Sequence, residues 1–445
     1  MRKAPKSVRL HIGLFGRTNV GKSSFLNLIS GQDVSITSSV PGTTTDIVEK
    51  TMELLPVGPV VFLDTGGLDD ISALSELRIR KTKKIFDRSD VIVLVIEPDI
   101  WKKFEDNIME EAESRDTPVI TVVNKTDLIK PRDGFIEKVR NRTERLILCS
   151  SIDLKGRDSY VNSLKQYLIE VCPQDFLQPP PLIGDLMPSG GTALLIVPID
   201  MEAPKGRIIL PQVQTIRDAL DNDAAAFVVK EDGYTRLLDN LKRPPDIVVC
   251  DSQVVLKMVS ETPADIKCTT FSILLARNRG NLVDSARAAA VIETLRPGDK
   301  VLIAEACSHH PIEDDIGRIK IPNWLQRYVG DKLHIDVCAG RDYPEDISGY
   351  RLVIHCGACM ITRRETLFRL QKAKREGVPV TNYGVCISFL QGVLERVLSP
   401  FPAALDAYKR EVRVIRGMKD EGQGAKGGQR QRTGRRKKKK IEIKG

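Results

Sequence analysis

The sequence predicts an α/β protein in which three parallel-sheet units follow one another along 445 residues. Short apolar runs of strand length, such as residues 91–96, alternate with amphipathic stretches of helical length, a pattern typical of βα repeats. A glycine-rich loop joins the first strand to a helix, and prolines between residues 173 and 181 mark a linker. The apolar runs are too short to cross a membrane and the N-terminus has no apolar signal core. We therefore expect a cytoplasmic protein without a membrane partner.

The glycine-rich loop, Gly16 to Ser23, fits the pattern G-x-x-x-x-G-K-S between a strand predicted at residues 8–15 and a helix beginning at Ser24. In this context backbone N–H groups and the helix N-terminus bind nucleotide phosphates. We expect Gly16 and Gly21 to lie against the phosphates, Lys22 to reach the β- and γ-phosphates, and the Ser23 hydroxyl to ligate Mg²⁺.

A D-x-x-G element follows at residues 64–67, directly after a strand predicted at residues 60–63. Asp64 is expected to hold Mg²⁺ through water, and the backbone N–H of Gly67 to meet the γ-phosphate. With Lys22, these residues form the predicted catalytic set, to which a resemblance given below adds a threonine.

Residues 124–127 read N-K-x-D after a strand predicted at residues 119–123. The Asp127 carboxylate can accept hydrogen bonds from N1–H and the exocyclic amine of guanine, whereas adenine presents the wrong edge. Asn124 and Lys125 belong to the same site, and Ser150 and Ser151 fall where such proteins have a base-contacting loop. The first unit, residues 1–168, is therefore predicted to be a P-loop GTPase domain.

Residues 41–46 read P-G-T-T-T-D, which resembles the switch segment of the GTPase group that includes TrmE and Era. The resemblance implies that Thr44 reaches Mg²⁺ and the γ-phosphate, and that Asn19 holds a K⁺ ion whose charge acts like an arginine finger. Without the resemblance, both are ordinary polar loop residues. Leu68 stands where Ras-like GTPases have the glutamine that orients water, so hydrolysis is expected to be slow or organised otherwise.

Two smaller α/β units are predicted after the linker, at residues 175–262 and 263–400. The middle unit shows no catalytic constellation, so an assembly role is expected for it. The predicted strands lie at residues 192–197, 224–229 and 246–250 in the middle unit, and at residues 271–275, 300–304, 333–337 and 352–355 in the third.

The remaining residues, 401–445, are predicted to be a basic, disordered tail. The net charge of the chain is +9, and residues 418–445 alone carry 11 Lys or Arg against 3 Asp or Glu, so the body is close to neutral. RNA binding is therefore expected, if at all, through the tail by counterion release, and a solubilising role explains the tail equally well.

The third unit contains six of the nine cysteines and four of the five histidines. Cys307 and His309 follow one predicted strand, while His355, Cys356 and Cys359 end and follow another. In a parallel sheet both groups emerge at the same edge. Three thiolates favour zinc or an iron–sulfur cluster, and the spacing of the cysteines does not decide between these two. A third alternative is that the three cysteines only pack in the core. The other three, Cys268, Cys338 and Cys386, are expected to be buried thiols.

The chain as a whole resembles the HydF family, the maturation GTPases of iron-only hydrogenases. The resemblance lies in a TrmE-like GTPase domain, a middle α/β unit, and a C-x-H segment followed by H-C-x-x-C. The resemblance implies a 4Fe-4S cluster on Cys307, Cys356 and Cys359 with a replaceable fourth ligand. His309 and His355 are then candidates for tuning or ligation. Asp200, at the end of a strand in the middle unit, is a further candidate for the fourth position.

The same resemblance implies a homodimer built through the middle unit and a scaffold that carries the di-iron precursor of the hydrogenase active site. Its partners would be the other maturation enzymes and apo-hydrogenase. The alternative is a zinc-containing Era- or TrmE-like GTPase acting on RNA or ribosome assembly, and a third is a redox or iron sensor. The near-neutral body, without an aromatic base-stacking motif, is evidence against the RNA alternative.

Overall fold

The computed structural model describes residues 9–31, 48–64, 82–172, 176, 180–199, 208–306, 315–340 and 342–424. The chain divides into two compact units, Met1–Pro179 and Pro180–Gly445. Both units are α/β, as predicted, and the sheets of the second are entirely parallel.

The first unit contains a six-stranded sheet in the order β2-β3-β1-β4-β5-β6. Its neighbouring strands are parallel except β2 and β3, which are antiparallel. The strands are β1 (Leu10–Phe15), β2 (Val48–Leu54), β3 (Gly58–Asp64), β4 (Val91–Ile96), β5 (Val119–Val123) and β6 (Leu146–Leu148). The helices are α1 (Lys22–Ser30), α2 (Lys103–Ser114), α3 (Asp133–Arg140) and α4 (Arg157–Val171).

The central strands β1 and β4 are buried along their whole length, which explains their unbroken apolar sequences. Ile12 shares one core with Phe25 of α1 and Leu164 of α4, while Ile92 shares a second core with Ile108 of α2. Helices therefore cover both faces of the sheet. The carboxyl ends of the parallel strands meet at one edge, where open sheets of this kind bind ligands.

The second unit contains two four-stranded sheets, in the orders β10-β9-β7-β8 and β12-β11-β13-β14. The strands are β7 (Thr192–Ile196), β8 (Ala225–Val229), β9 (Ile247–Cys250), β10 (Lys267–Thr270), β11 (Lys300–Ala304), β12 (His334–Cys338), β13 (Leu352–His355) and β14 (Val380–Asn382). The α-helices are α5 (Leu210–Asp221), α6 (Tyr234–Asn240), α7 (Val255–Glu261), α8 (Phe271–Arg279), α9 (Leu282–Ala289), α10 (Ile321–Val329), α11 (Arg363–Arg375), α12 (Tyr383–Leu390), α13 (Leu394–Val397) and α14 (Pro402–Gly424). One continuous core includes buried side chains from both sheets, such as Leu195 and Ile354.

The prediction of a strand at residues 271–275 is wrong, because these residues begin helix α8. The strand in this region is β10, which pairs with β9 and completes the first of the two sheets. A short apolar run has no periodicity that separates a buried strand from a buried helix. The decisive signal was Thr270, whose side chain accepts a hydrogen bond from the backbone N–H of Ile273 and caps the helix.

The disordered tail was predicted to begin too early, because residues 402–424 form helix α14. Ala404, Tyr408, Val412 and Ile415 are buried in the core of the second unit. Their spacing of four, four and three residues places them on one face of a helix. The basic composition of residues 418–445 concealed this apolar stripe. Residues 425–445 lie outside the described part of the chain.

Candidate functional site

The glycine-rich loop leaves β1 and enters α1 in a conformation that only glycine accommodates at two positions. Gly16 has a φ of +148° and Gly21 a φ of +92°. A Cβ atom at Gly16 would lie 2.2 Å from the carbonyl oxygen of Val95, and one at Gly21 would lie 2.3 Å from Nδ2 of Asn124. Both glycines therefore let the loop pack closely against β4 and Asn124, and a loop of this kind before a helix N-terminus fits a nucleotide polyphosphate.

Lys22, the first residue of α1, is buried and turned toward this loop. Its Nζ donates hydrogen bonds to the carbonyl oxygens of Gly16, at 2.5 Å, and Arg17, at 2.9 Å. Ser23 is exposed beside it, and Asp64 ends the neighbouring strand β3, whose register pairs it with Leu14 of β1. A hydroxyl and a carboxylate in this position are donors that suit Mg²⁺.

The phosphate loop is braced from a second side by Arg17. Its guanidinium forms two hydrogen bonds with Glu105 of α2, at 2.8 and 2.6 Å. Glu105 is buried and also accepts a hydrogen bond from the backbone N–H of Lys102. Arg17 therefore holds the phosphate loop against α2. This pair could not be predicted from the sequence, because no local pattern links two residues 88 positions apart.

Asn124 connects the phosphate loop to the predicted base-binding side. Its Nδ2 donates to the carbonyl oxygen of Val20 at 2.9 Å, and its Oδ1 accepts hydrogen bonds from the backbone N–H and the hydroxyl of Ser151, at 3.0 and 2.8 Å. Ser150 is buried, and its hydroxyl has no hydrogen-bond partner among the described residues. Asn124 and Ser151 thus set the distance between the phosphate loop and the base-binding loops.

Asp127 is exposed at this edge, where its carboxylate is accessible to a base. The neighbouring Lys125 has a φ of +62° and forms an ion pair with Glu97, which follows β4. Glu97 is a second residue that sequence reasoning missed. Its position immediately after a fully apolar strand, at the ligand-binding edge, was the available signal.

Several predicted site residues lie outside the described part of the chain, so their roles stay predictions. They are Thr44, Gly67, Asp200, Cys307 and His309.

In the second unit, the C-x-x-C segment forms a loop directly after β13, which we call the cysteine loop (residues 356–361). The backbone N–H of Cys356 donates to the carbonyl oxygen of Ala304 at 3.0 Å, which continues the pairing of β13 with β11. The backbone N–H of Ala306 lies 3.0 Å from Cys356 Sγ. The residue that precedes Cys307 therefore contacts the C-x-x-C thiol.

Cys356 and Cys359 are partly exposed, and neither forms a disulfide. Burial raises the pKa of Cys356 to about 11. The backbone N–H groups of Ala358 and Ala306 act in the opposite direction and lower this pKa, but by less. Burial also raises the pKa of Cys359. Both are thiols at neutral pH, and metal binding would remove their protons. Two soft donors at this spacing, with N–H groups directed at sulfur, fit zinc or an iron–sulfur cluster.

His355 lies beside this loop but faces other partners. Its Nδ1 lies 2.9 Å from the carbonyl oxygen of Cys356, and its Nε2 lies 3.5 Å from Nη1 of Arg369. Because arginine only donates, Nε2 is the acceptor and Nδ1 carries the proton. Burial and the Arg369 charge lower the pKa of His355 to about 4, so the ring is neutral. This arrangement suits tuning of the loop better than ligation.

The other three cysteines of the predicted third unit, Cys268, Cys338 and Cys386, are buried as predicted. Within the described ranges, no group of three or more His, Cys, Asp or Glu could hold a metal ion. The third predicted thiolate, Cys307, falls outside those ranges. No helix in the described part of the chain is long and apolar enough to span a membrane.

A cavity of about 560 Å³ adjoins the cysteine loop within the second unit. Apolar side chains from α8, α9, α11 and β14 form most of its wall. Its charged lining residues are of both signs and include Lys374, Glu411 and the ion pair of Arg287 with Asp284. Cys356 itself contributes to the lining. The loop therefore borders a space large enough for a small molecule.

Among curated proteins, the chain is similar to GTPases over its N-terminal part. It is 34% identical over 168 residues to the tRNA modification GTPase MnmE of Prochlorococcus marinus (strain NATL1A), covering 37% of this chain and 34% of that protein. It is 30% identical over 228 residues to the GTPase Era of Thermoanaerobacter sp. (strain X514), covering 48% of this chain and 72% of that protein. The N-terminal domain thus belongs with the Era-like GTPases. The chain spans only about a third of the MnmE relatives it matches.

Two solved structures resemble parts of the fold at low overall similarity. Aquifex aeolicus Era bound to GDP and AlF4 has a TM-score of 0.30 and 18% identity, covering 74% of this chain and 92% of that one. The G domain of the T. maritima FeoB iron transporter has a TM-score of 0.30 and 20% identity, covering 37% of this chain and 99% of that one.

Three family models match successive parts of the chain. Residues 11–125 match the 50S ribosome-binding GTPase model, residues 182–280 the hydrogen maturase F dimerization domain, and residues 283–400 the hydrogen maturase F tetramerization domain. The N-terminal domain is a P-loop GTPase, and the two modules that follow are oligomerisation domains. The chain therefore belongs to the HydF family of hydrogenase maturation GTPases.

Proposed function

We propose that this protein is a GTP-hydrolysing iron–sulfur scaffold that assembles or delivers the di-iron precursor of the iron-only hydrogenase active site. The observation that best supports the proposal is the 3.0 Å contact between the backbone N–H of Ala306 and Cys356 Sγ. It brings the chain that leads into Cys307 to the C-x-x-C loop, as a site built on three thiolates requires.

On the nucleotide side, the residues present would hold GTP and Mg²⁺. Gly16 and Gly21 let the phosphate loop pack against β4 and Asn124. Lys22 supplies a positive charge for the phosphates, and Ser23 and Asp64 are the ligands proposed for Mg²⁺. Asp127 would select guanine through two hydrogen bonds from the base. Thr44 and the Gly67 backbone N–H are proposed to meet the γ-phosphate.

On the metal side, Cys356 and Cys359 would hold the cluster together with Cys307. A bound cluster would supply an iron with an exchangeable coordination position and a one-electron couple. His309 and Asp200 stay candidates for the fourth position, whereas His355 is assigned to tuning because both its ring nitrogens have other partners. The cavity beside the loop is proposed to accommodate the di-iron precursor before it passes to apo-hydrogenase.

For the homodimer, we propose that contact is made through the edge of the first sheet of the second unit. Strand β8 lies at that edge, and its Phe227 and Val228 side chains are 41% and 47% exposed. An edge strand with exposed apolar side chains is suited to pairing with another chain. The match of residues 182–280 to a dimerization domain supports this assignment.

The metal content of the protein tests the proposed function. Full-length protein purified or reconstituted without oxygen is expected to contain iron and sulfide in equal amounts, with the absorption and EPR spectra of a 4Fe-4S cluster. Zinc at one equivalent without iron or sulfide would contradict the scaffold and favour the alternative of a zinc-containing GTPase acting on RNA or ribosome assembly. GTP hydrolysis measured on the same sample reports separately on the nucleotide site.

We also propose that Asn19 holds a potassium ion next to the phosphates. Its side chain is exposed on the phosphate loop, at a backbone φ of +65°. Hydrolysis by the wild-type protein is expected to be faster in potassium than in sodium chloride, and Asn19→Ala should remove this difference. The loss should be roughly a hundredfold at most, the lower end of the effect of removing a charge-stabilising group.

Thr18→Ala is the matched control for this prediction, since Thr18 is the exposed neighbour on the same loop. It should retain the preference for potassium. Equal wild-type rates in the two salts would rule out the potassium assignment.

A further inference from the structure

A buried arginine lies under the cysteine loop and contacts its backbone. Arg279, the last residue of α8, is 4% exposed. Its Nη1 donates to the carbonyl oxygen of Ala358 at 2.7 Å and, more weakly, lies 3.5 Å from that of Ile361. One guanidinium therefore holds the residue between the two cysteines and the last residue of the loop.

The conformation that Arg279 holds is one that the loop would not adopt by itself. Ala358 has a φ of +56°, in the left-handed region that a residue with a Cβ atom enters only at an energetic cost. Such a residue persists only where its surroundings fix it. The hydrogen bond to its carbonyl oxygen is a contact that does so, and the spacing of Cys356 and Cys359 depends on it.

The same guanidinium also connects the loop to the dimerization domain. Nη2 of Arg279 donates to Oε1 of Gln214 at 3.2 Å, and Gln214 lies on α5. The first helix of one module and the metal-binding loop of the next are thus joined through a single side chain. A displacement of α5 would be transmitted to the loop by this contact.

The charge of Arg279 matters most when a metal is bound. Arginine stays protonated in proteins. Its guanidinium donates to the carbonyl oxygen of Ala358, which lies between Cys356 and Cys359, so a positive charge stands beside the loop. A cluster held by thiolates is anionic, and this charge would attract it.

We propose that Arg279 is the positioning residue of the cysteine loop: it fixes the C-x-x-C backbone, links it to α5 through Gln214, and stabilises the metal-bound thiolates by its charge. The inference rests on the iron–sulfur role proposed above. It assigns to Arg279 a metal-directed function and not only a packing one.

The test compares three variants of the full-length protein, Arg279→Gln, Arg279→Lys and Gln214→Leu, with Arg277→Gln as the control. Arg277 lies on the same helix but pairs with Asp185, away from the cysteine loop. The measurements are the affinity of the reduced, metal-free protein for Co²⁺, followed by its thiolate absorption, and the midpoint potential of the reconstituted cluster. Thermal unfolding and oligomeric state report whether each variant is folded.

Arg279→Gln is expected to weaken Co²⁺ binding roughly 10–100-fold, the usual effect of losing a residue that orients metal ligands, and to lower the midpoint potential. The potential falls because a lost positive charge disfavours the more negative reduced cluster. Arg279→Lys should keep a potential near that of the wild type but lose affinity, since an ammonium cannot reproduce the planar fork. Gln214→Leu should lose affinity less, and Arg277→Gln should match the wild type.

Wild-type affinity and potential in a folded Arg279→Gln protein would overturn the inference, as would wild-type affinity in Arg279→Lys. If Arg279→Gln does not fold, Arg279→Lys and Gln214→Leu decide the question by the same measurements. A wild-type protein that takes up no iron and sulfide would instead refute the proposed scaffold function. The two failures are therefore distinguishable.

Discussion

Replacing Cys356 with serine is expected to abolish iron–sulfur loading while GTP hydrolysis continues. Cys356 is the first residue of the cysteine loop, and its thiol accepts a hydrogen bond from the N–H of Ala306 and borders the adjoining cavity. A serine hydroxyl is a hard ligand that does not ionise at neutral pH, so it cannot replace a thiolate on iron. The phosphate loop lies in the other compact unit, and its residues are unchanged.

The measurement is iron and sulfide per chain after anaerobic reconstitution, together with the GTP hydrolysis rate of the same preparation. Cys338→Ser is the control, because Cys338 is a buried thiol at the end of β12 and not part of the cysteine loop. It should load like the wild type. Full loading of Cys356→Ser would refute the ligand assignment, and loss of hydrolysis together with the cluster would show that the nucleotide site depends on the metal site.

The parts of the site that could be predicted from the sequence are contiguous ones. The phosphate loop, the N-K-x-D segment and the C-x-x-C segment each place their groups within a few residues, so residue type and spacing determine the local geometry. The alternation of apolar strands and amphipathic helices likewise predicted the parallel sheets. The order of the strands within each sheet was not predicted, because right-handed βαβ connections limit the possible orders without selecting one.

The parts that could not be predicted depend on contacts between distant residues. Arg279 reaches Ala358 across 79 positions and Asn124 reaches Val20 across 104, and no local pattern indicates either pairing. The prediction of a strand at residues 271–275 was wrong for a related reason. Whether a short apolar run is strand or helix is decided by what it packs against, which sequence alone does not supply.

His355 shows how side-chain geometry refines an interpretation based on spacing. Its place beside Cys356 makes it a candidate ligand in the sequence. The structure directs Nδ1 to the Cys356 carbonyl oxygen and Nε2 to Arg369, which is itself held by the carbonyl oxygen of Gly340 and by Glu365. Adjacency along the chain thus placed the ring beside the cysteine loop, while the direction of Nε2 is set by Arg369, which lies on α11.

Asp127→Asn is expected to convert the nucleotide site from guanine toward xanthine recognition. The Asp127 carboxylate is proposed to accept hydrogen bonds from N1–H and the exocyclic amine of guanine. An amide in its place would offer only one acceptor and a donor that opposes that amine. Xanthine has a carbonyl oxygen where guanine has the amine, so the asparagine N–H can donate to it. Losing hydrogen bonds to a charged group should reduce GTP affinity roughly 10²–10⁴-fold.

Competition between GTP, XTP and ATP for a fluorescent nucleotide measures this change. Asp133→Asn provides the control, since Asp133 is an exposed carboxylate in the first turn of α3 and carries the same charge. It should bind GTP as the wild type does. Asn124 positions Ser151 and Val20 without using the Asp127 side chain, so the phosphate loop stays in place and XTP should restore binding in Asp127→Asn. Unchanged GTP affinity in that variant would mean that the base is read elsewhere, and loss of binding to both nucleotides would mean that Asp127 supports the fold of the site and not its choice of base.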